Sequence, residues 1–480
     1  MPSIPLVAEL GAKADEFQQL LNVSKIPATV TQKLRPAMDP EELFTCQDSR
    51  IFVRARPYVP HDNENPHNQS MIQKVDGDRD LVVMTPKISL SGQCTIDPCV
   101  VNLDGAFVGV RDDTERVYVQ SCAPLVSLSV DGASTCVLCY GQTGSGKTYT
   151  TTGIFRYIAE DLAPIFDTHD VLLTLLEIQA LKNVDLLTGT DVQVVEDVSG
   201  ELKLLGTEAF ECSSAEMLLA AFEEGASQRT TRSTERNETS SRSHMIARIS
   251  IIPKEAKWAK PGDLFIVDLA GSENTADSAT HDKSRQAETK FINTSLMTLK
   301  DCIRSRALAA SSTQHLHIPY RRSPLTLLLR DCFEIAVRRP TKTVMIACVS
   351  PLLRDARHTI NTLRYASLLA VTPPAKVIAA DPNDPNNFTR TQALEFIAKV
   401  SHGNIQFPEY ILPEGDGRTL VHIPETEFIR RVTESHPHIP EKKAKMIYTA
   451  VWKRVVDART KNRKQMIDAK RHIKAPRCAA

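Results

Sequence analysis

Residues 141–148 read Gly-Gln-Thr-Gly-Ser-Gly-Lys-Thr, and this stretch decides the fold. The pattern Gly-x-x-x-x-Gly-Lys-Thr is that of a phosphate loop, in which glycines let backbone N–H groups surround a phosphate. Lys147 would neutralise the β/γ charge and the Thr148 hydroxyl would ligate magnesium. An apolar, strand-like run precedes the loop at 136–140, and a helical pattern follows it at 148–157. Because a helix N-terminus favours an anion, the sequence predicts an α/β site for a nucleoside triphosphate.

Two polar stretches farther along the chain narrow the choice among phosphate-loop proteins. Residues 237–244 read Asn-Glu-Thr-Ser-Ser-Arg-Ser-His, and residues 268–273 read Asp-Leu-Ala-Gly-Ser-Glu directly after the apolar run 264–267. The second stretch offers a carboxylate near magnesium and a glycine that can approach a γ-phosphate. In their order and spacing, these stretches and the phosphate loop resemble the kinesin motor family.

Smaller motifs on both sides extend the resemblance over roughly residues 49–370. They are Arg-Ala-Arg-Pro at 54–57, Asn-Thr-Ser-Leu-Met-Thr-Leu at 293–299, His-Ile-Pro-Tyr-Arg at 317–321, 325–331, and Asn-Thr-Leu-Arg-Tyr-Ala at 361–366. The resemblance implies an α/β fold of the phosphate-loop NTPase type. Its central mixed β-sheet of about eight strands would be flanked by helices on both faces.

The resemblance also implies which residues hold ATP. The Arg-x-Arg-Pro turn would lie beside the adenine, Tyr149 would stack on it, and the phosphate loop would hold the phosphates. The nucleotide-binding residues would be Arg54, Arg56, Pro57, Gly141, Gln142, Thr143, Gly144, Ser145, Gly146, Lys147, Thr148 and Tyr149.

Catalytic and metal-binding roles follow from the same resemblance. Asn237, Ser240 and Ser241 would form switch I, which closes over the γ-phosphate and helps to place Mg²⁺ and the attacking water. In switch II, the Gly271 N–H would sense the γ-phosphate, and Arg242 and Glu273 would form a salt bridge that closes the site. The Mg²⁺ site would be formed by Thr148, Ser241 and Asp268, the last of these acting through water.

A basic region after switch II is the expected microtubule-binding face. Residues 281–340 contain eleven Lys or Arg against five Asp or Glu, and microtubule surfaces are acidic. The expected contacts are Lys283, Arg285, Lys290, Lys300, Arg304, Arg321, Arg322 and Arg330. Pro324 stands where the family has a basic residue; proline can start a helix but brings no charge.

The predicted motor, residues 48–370, lies between extensions. Residues 1–47 contain a helical pattern at 7–21, and residues 371–388 form a Pro-rich linker in which Pro373 and Pro374 are expected to hinder pairing with a strand. Residues 389–480 form an α-helical module with helical patterns at 389–400, from 423, and at 441–473. Apolar positions stripe this last helix for about three turns, but sustained heptads are absent, so a monomer or a subunit of a larger assembly is expected.

Charge is distributed unevenly in a chain that is neutral as a whole. The last forty residues hold thirteen Lys or Arg against three Asp or Glu, a net charge of +10. This basic helical tail is expected to bind an acidic polymer, tubulin being the candidate that fits the motor, whereas slight aromatic interleaving makes nucleic acid a weaker alternative.

Composition fits an intracellular protein, and the resemblance implies that it is cytoplasmic and associated with microtubules. The 480 residues are 42% hydrophobic and include eleven scattered cysteines, which fits a reducing compartment. Cys136 and Cys139 are interpreted as buried strand residues, not metal ligands. No secretory signal or membrane span is predicted.

Three readings compete with a motile, microtubule-dependent ATPase. A structural, non-motile kinesin-derived protein with weak or no turnover is the main alternative. A phosphate-loop GTPase is excluded because no Asn-Lys-x-Asp motif occurs. Depolymerising kinesins carry a Lys-Val-Asp loop tip after a strand, whereas residues 74–76 here precede the strand predicted at 81–84, so this match is interpreted as accidental.

Overall fold

A computed structural model describes residues 7–36, 48–59, 62, 70–75, 79–109, 114–179, 182–196, 202–235, 242–256, 261–272, 283–309, 316–337, 339–369, 376–377 and 381–471. Its strands are β1 Ser49–Ala55, β2 Ile72–Gln73, β3 Leu81–Ile88, β4 Cys94–Val101, β5 Gly105–Val108, β6 Ser134–Tyr140, β7 His169–Ile178, β8 Asn183–Asp185, β9 Asp191–Glu196, β10 Leu202–Leu205, β11 Phe210–Cys212, β12 His244–Pro253, β13 Gly262–Asp268, β14 Ala336–Val337, β15 Thr341–Val349 and β16 Lys376–Val377.

The helices lie before, between and after these strands. They are α1 Val7–Ala12, α2 Ala14–Val23, α3 Ala28–Thr31, α4 Thr114–Ser121, α5 Ala123–Val130, α6 Lys147–Leu162, α7 Ala215–Glu235, α8 Lys283–Ala309, α9 Pro324–Leu328, α10 Arg330–Phe333, α11 Ala356–Ala366, α12 Arg390–Val400, α13 Gly417–His422, α14 Glu425–Ser435 and α15 Glu441–Arg471. None of the helices in these ranges is long and apolar enough to span a bilayer.

One large mixed sheet organises the motor. Its strand order is β10-β9-β8-β7-β12-β13-β6-β15-β1-β5, with β11 beside β7. The strands β13, β6, β15, β1 and β5 are parallel, and every residue of β6 is buried, as expected for a strand covered on both faces. Two separate hydrophobic clusters pack against the sheet. The predicted fold class is therefore confirmed, and the antiparallel strands β7–β12 bring the sheet to eleven strands.

The N-terminal segment is packed against a second, three-stranded sheet formed by β2, β3 and β4. The predicted helix at 7–21 is present as α1 and α2, which are interrupted at Lys13, and Phe17 is completely buried in the larger cluster. Arg35 forms bidentate hydrogen bonds with the fully buried carboxylate of Asp80, including Nη2–Oδ1 at 2.7 Å. Residues 7–36 are thus held by both apolar and charged contacts.

The hairpin of β3 and β4 ends in an exposed turn, at which Leu90 is 96% exposed. β3 begins at Leu81, after Lys74 and Val75, as predicted, but the short strand β2 ends at Gln73, so these two residues also follow a strand.

The segment that leaves the last motor helix pairs with a strand in spite of its prolines. Lys376 and Val377 lie parallel to Ala336 and Val337, and the Lys376 N–H donates to the Ile335 carbonyl at 2.8 Å. The pairing begins two residues beyond Pro374, where backbone N–H donors are again present. The expected hindrance therefore does not prevent this short pairing.

The C-terminal helices have a hydrophobic core of their own, built from residues between 388 and 451. α12 begins with a capping box in which Thr389 and Gln392 exchange side-chain and backbone hydrogen bonds. α15 matches the predicted long helix, but its buried side extends farther than the predicted three turns and reaches Asn462 and Ala469. The physical reason is that α15 contacts more than the module's own core: it also contacts β14 of the motor, and Asn462 donates to Asp384 of the linker at 3.2 Å.

We predict that Arg35→Met destabilises the protein by about 2 kcal/mol, because the fully buried Asp80 loses its compensating guanidinium. The free energy of unfolding can be measured by urea denaturation. Lys33→Met, at an exposed position two residues away, is the control and should leave stability unchanged. Equal stability of the two variants would contradict a structural role for residues 7–36.

Candidate functional site

The predicted site residues converge at one edge of the large sheet. β6, β13 and β7 end there at Tyr140, Asp268 and Ile178, and β12 starts there at His244 because it runs antiparallel to its neighbours. Ligands of open α/β sheets bind outside the carboxyl ends of parallel strands. The topology thus brings together residues from four separate parts of the sequence.

The phosphate loop connects β6 to α6. Gly144 and Gly146 adopt φ angles of 74° and 93°, a region that favours glycine. At Gly141 a Cβ atom would lie 2.0 Å from the Cys348 carbonyl oxygen, so a side chain cannot be accommodated. The Lys147 ammonium donates to the Gln142 carbonyl at 2.9 Å, which folds this side chain back over the loop.

Asp268 is the centre of a buried charged cluster behind the loop. Its Oδ2 accepts hydrogen bonds from the Thr148 hydroxyl and from Arg229 Nη1, both at 2.7 Å. Asp268, Arg229 and Glu177 are each at most 3% exposed, and Arg229 Nε lies 4.0 Å from Glu177 Oε1. A guanidinium therefore compensates two carboxylates that would be costly to bury alone.

The residues predicted to hold Mg²⁺ are compatible with that ion where the structure describes them. Asp268 Oδ1 is buried and has no hydrogen-bond partner among the described residues, and Oδ2 lies beside the Thr148 hydroxyl. Mg²⁺ takes oxygen ligands and is usually bound by one or two carboxylates together with waters and substrate phosphates. The third predicted ligand, Ser241, lies outside the described residues.

The residues predicted to lie beside the adenine are close to the loop. The Arg54 guanidinium lies 5.1 Å from the centre of the exposed Tyr149 ring and donates to the hydroxyl of Thr150 at 3.0 Å. Arg56 pairs with the buried Asp62, with Nη1–Oδ2 at 2.5 Å, and donates to the Pro57 carbonyl. The Tyr149 ring is thus exposed to solvent, and the Arg54 guanidinium forms a cation–π contact with it.

The two switch segments are only partly described. Gly271 is buried next to the phosphate loop, where the adjoining Ser272 N–H donates to the Gly141 carbonyl at 3.1 Å. Arg242 is half-buried just before β12. Asn237, Ser240, Ser241 and Glu273 lie outside the described residues, so the Arg242–Glu273 salt bridge stays a prediction.

His244 was part of a predicted motif, but the sequence assigned it no role. Its Nδ1 accepts from the Ala270 N–H at 3.0 Å, and its Nε2 lies 2.7 Å from the Ser295 hydroxyl on α8. Because Nδ1 accepts, the neutral ring carries its proton on Nε2 and donates to Ser295, whose hydroxyl donates to the Ile292 carbonyl. This chain of hydrogen bonds joins switch II to α8. Complete burial, with the positive charge of Arg229, lowers the pKa of His244 to about 3.

Arg229 was missed as well, since nothing in the polar run around it distinguishes its side chain from the neighbouring arginine. Its role depends on the fold, which places α7 beside the end of β13. There Arg229 contacts Asp268, 39 residues farther along the chain. A buried arginine can be recognised only when its two carboxylate partners are placed.

The predicted microtubule-binding residues differ in their surroundings. Lys290, Arg304 and Arg322 are exposed, and Lys283 and Arg285 lie in α8. Lys300 is half-buried over the Tyr365 ring, and desolvation lowers its pKa.

Glu196 of β9 binds two of these predicted contacts. Its carboxylate oxygens lie 2.6 Å from Arg321 Nε and 3.3 Å from Arg330 Nη1. Both guanidinium groups are therefore partly neutralised, and the freely available positive charge is smaller than the sequence suggests.

The family model of the kinesin motor domain matches residues 54–370. Diatom spindle kinesin-1 from Cylindrotheca fusiformis is 38% identical over 341 residues, which cover 68% of this chain and 51% of that protein. The kinesin-like protein KIN-13B from Arabidopsis thaliana is 30% identical over 391 residues, which cover 76% and 54% respectively. The chain thus spans about half the length of these relatives.

Solved structures of kinesins are also similar to this chain. The structure of a fast kinesin is 27% identical with a TM-score of 0.57, and the match covers 69% of this chain and 93% of that chain. A KIF14 dimer with AMP-PNP in complex with a microtubule has the same identity and TM-score and is covered to 96%.

We predict that His244 makes stability depend on pH below 6.5. A folded-state pKa of about 3 against an ordinary value of 6.5 means that only the unfolded chain takes up this proton as the pH falls. Its contribution is fully present above pH 6.5 and should decrease by about 2 kcal/mol at pH 5.

The measurement is urea denaturation at pH 7.5 and pH 5 for the natural chain and for His244→Gln. The variant should lack this part of the pH dependence, whereas His422→Gln, at an exposed histidine, should retain it. The same pH dependence in all three proteins would show that His244 is not buried in its neutral form.

Proposed function

The chain belongs to the kinesin motor-domain family, and on that basis we propose that it is an ATPase that couples ATP binding and hydrolysis to microtubule attachment and movement. The main support is the contact between Thr148 and Asp268 at the edge of the sheet, because it joins the phosphate loop to switch II. Attachment to the microtubule cytoskeleton in the cytoplasm is part of the proposal.

In this mechanism the protein acts mainly by positioning and by electrostatic stabilisation. Lys147 exchanges its contact with the Gln142 carbonyl for the β/γ-phosphates, while the loop N–H groups bind the remaining oxygens. Thr148 and Asp268 would hold Mg²⁺, which supplies charge neutralisation when bound. Gly271 donates its N–H to the γ-phosphate, and Ser240, Ser241 and the Arg242–Glu273 pair close the site and orient the attacking water.

The coupling to α8 would use the hydrogen bonds of His244. Movement of residues 270–271 toward the γ-phosphate changes the position of the Ala270 N–H, to which His244 Nδ1 is bound. The same ring binds Ser295, which lies on the helix that carries Lys290, Lys300 and Arg304. Nucleotide state and basic surface are thereby linked through one side chain.

A structural, non-motile role is the second candidate, and the linker favours it. Beyond β16, the buried carboxylate of Asp384 accepts a hydrogen bond at 3.2 Å from Asn462, which is also buried in α15. A linker fixed at both β14 and α15 is less free to undock and redock than one followed by a flexible segment.

We predict that microtubules stimulate steady-state ATP turnover and that Glu273→Ala reduces the stimulated rate roughly a hundredfold, the size expected when a group that stabilises the transition state is removed. The assay compares the full chain with and without taxol-stabilised microtubules. Glu224→Ala, at an exposed glutamate of α7, serves as the control.

The outcomes separate the two candidate functions. Stimulated turnover in the natural chain, lost in Glu273→Ala, supports the ATPase. Tight microtubule binding with negligible turnover in all three proteins would favour the structural role.

We also predict that Glu196→Gln strengthens microtubule binding at low ionic strength by roughly two- to fivefold, because Arg321 and Arg330 lose their shared counter-charge. Co-sedimentation measures the dissociation constant. Glu208→Gln makes the same charge change at an exposed position away from these arginines and should have a smaller effect. Unchanged or weaker binding by Glu196→Gln would remove these two arginines from the proposed interface.

A further inference from the structure

The long C-terminal helix α15 is held against the linker by contacts from its buried side and from an exposed flank. Lys461 Nζ lies 3.0 Å from Asp381 Oδ2, and Arg454 Nη2 donates to the Asn383 side-chain oxygen at 2.9 Å. Together with the buried Asn462–Asp384 hydrogen bond, these contacts hold the helix against the linker. α15 is therefore a rigid part of the fold, and its outer side has a defined orientation.

The outer side of α15 carries an exposed stripe, defined by residues that follow each other at intervals of three or four. Its members are Lys442, Met446, Thr449, Lys453, Val456, Thr460, Lys464 and Ile467. This spacing places them on one face of the helix, opposite the buried Val451, Val455 and Asn462.

Ammonium groups and apolar side chains alternate along the exposed stripe. The three lysines recur every eleven residues, which corresponds to about 16 Å along a helix. Each is exposed and has no ion pair with a described residue, although Asp457 and Asp468 follow Lys453 and Lys464 by four residues. Met446, Val456 and Ile467 are 66%, 52% and 38% exposed. Single exposed apolar side chains are common on protein surfaces, so what distinguishes this face is the regular alternation of lysines with apolar residues.

The chain's charge distribution indicates the kind of partner. The last forty residues carry a net charge of +10, so the first 440 residues carry −10. Within the motor, Glu196 binds two of the predicted basic contacts, whereas the lysines of the exposed stripe have no such carboxylate. Among the described residues, α15 therefore presents exposed lysines to an acidic partner without a bound counter-charge.

We propose that the exposed stripe of α15 is a second microtubule-binding surface, on which lysines contact acidic side chains of tubulin and the apolar residues pack against the same segment. This inference rests on the proposed function, since it takes the microtubule as the partner. Electrostatic attraction makes the contact dependent on salt, and a preorganised helix binds without a large ordering cost. The motor would thereby have an attachment point that is not controlled by nucleotide.

The test is the double variant Lys453→Glu/Lys464→Glu in the full chain. Co-sedimentation with taxol-stabilised microtubules, in ADP and in AMP-PNP, should show at least a fivefold weaker affinity at low ionic strength and a smaller loss at high ionic strength. Unstimulated ATP turnover should not change, because neither lysine is near the nucleotide site. The matched control Lys25→Glu/Lys399→Glu makes the same change in net charge at exposed positions away from α15 and should bind as the natural chain does.

Microtubules whose acidic tubulin tails have been removed by subtilisin provide the complementary measurement. The natural chain should bind them about as weakly as the double variant, and the double variant should lose little further affinity. A Val456→Ser variant should weaken binding two- to threefold, independently of salt, if the apolar positions contribute.

The results distinguish a failure of this inference from a failure of the proposed function. If the natural chain neither binds microtubules nor is stimulated by them, the proposed function fails. If it does both and the α15 double variant binds as tightly as the control, the second surface is overturned. It is also overturned if the double variant loses affinity for anionic lipid vesicles or single-stranded RNA but not for microtubules.

Discussion

The buried ion pair between Arg229 and Asp268 is the interaction on which the site depends. Asp268 stands at the end of a central strand, where a carboxylate is needed beside the phosphate loop but water is excluded. Arg229 compensates its charge, and the Thr148 hydroxyl orients the same oxygen. Removal of the arginine would leave two buried carboxylates uncompensated, which is among the most destabilising changes a protein can undergo. A carboxylate placed near the phosphate site therefore requires a buried guanidinium and a hydroxyl as its partners.

The topology of the sheet explains how a few side chains connect distant surfaces. β6 and β13 are parallel neighbours, so the phosphate loop and switch II start at the same edge, and antiparallel β12 begins at that edge with His244. A single neutral imidazole then joins switch II to α8. Because a buried imidazole that both accepts and donates has one tautomer and one orientation, it transmits a displacement better than an exposed, mobile side chain would.

Basic side chains of the motor and of the C-terminal module differ in whether they have partners within the protein. In the motor, Glu196 pairs with Arg321 and Arg330, and Lys300 lies over an aromatic ring. In the module, some polar groups of α15 form hydrogen bonds and an ion pair with the linker. The lysines of the exposed stripe form no ion pair with a described residue. The same residue types therefore serve packing in one place and remain available for a partner in the other.

The sequence by itself determined the fold class, the phosphate loop and three of the four described helices of the C-terminal module, because each of these depends on a local pattern. Glycines at fixed offsets, the apolar run at 136–140 and a Thr-x-x-Gln capping box act within a few residues. Only the tertiary structure decided the partners of Asp268, the role of His244, the pairing of residues 376–377 with β14 and the neutralisation of Arg321. Arg229 and Asp268 are 39 residues apart, and Glu196 and Arg321 are 125 apart. Such contacts depend on how strands are ordered in the sheet, and a single sequence carries no local signal for that order.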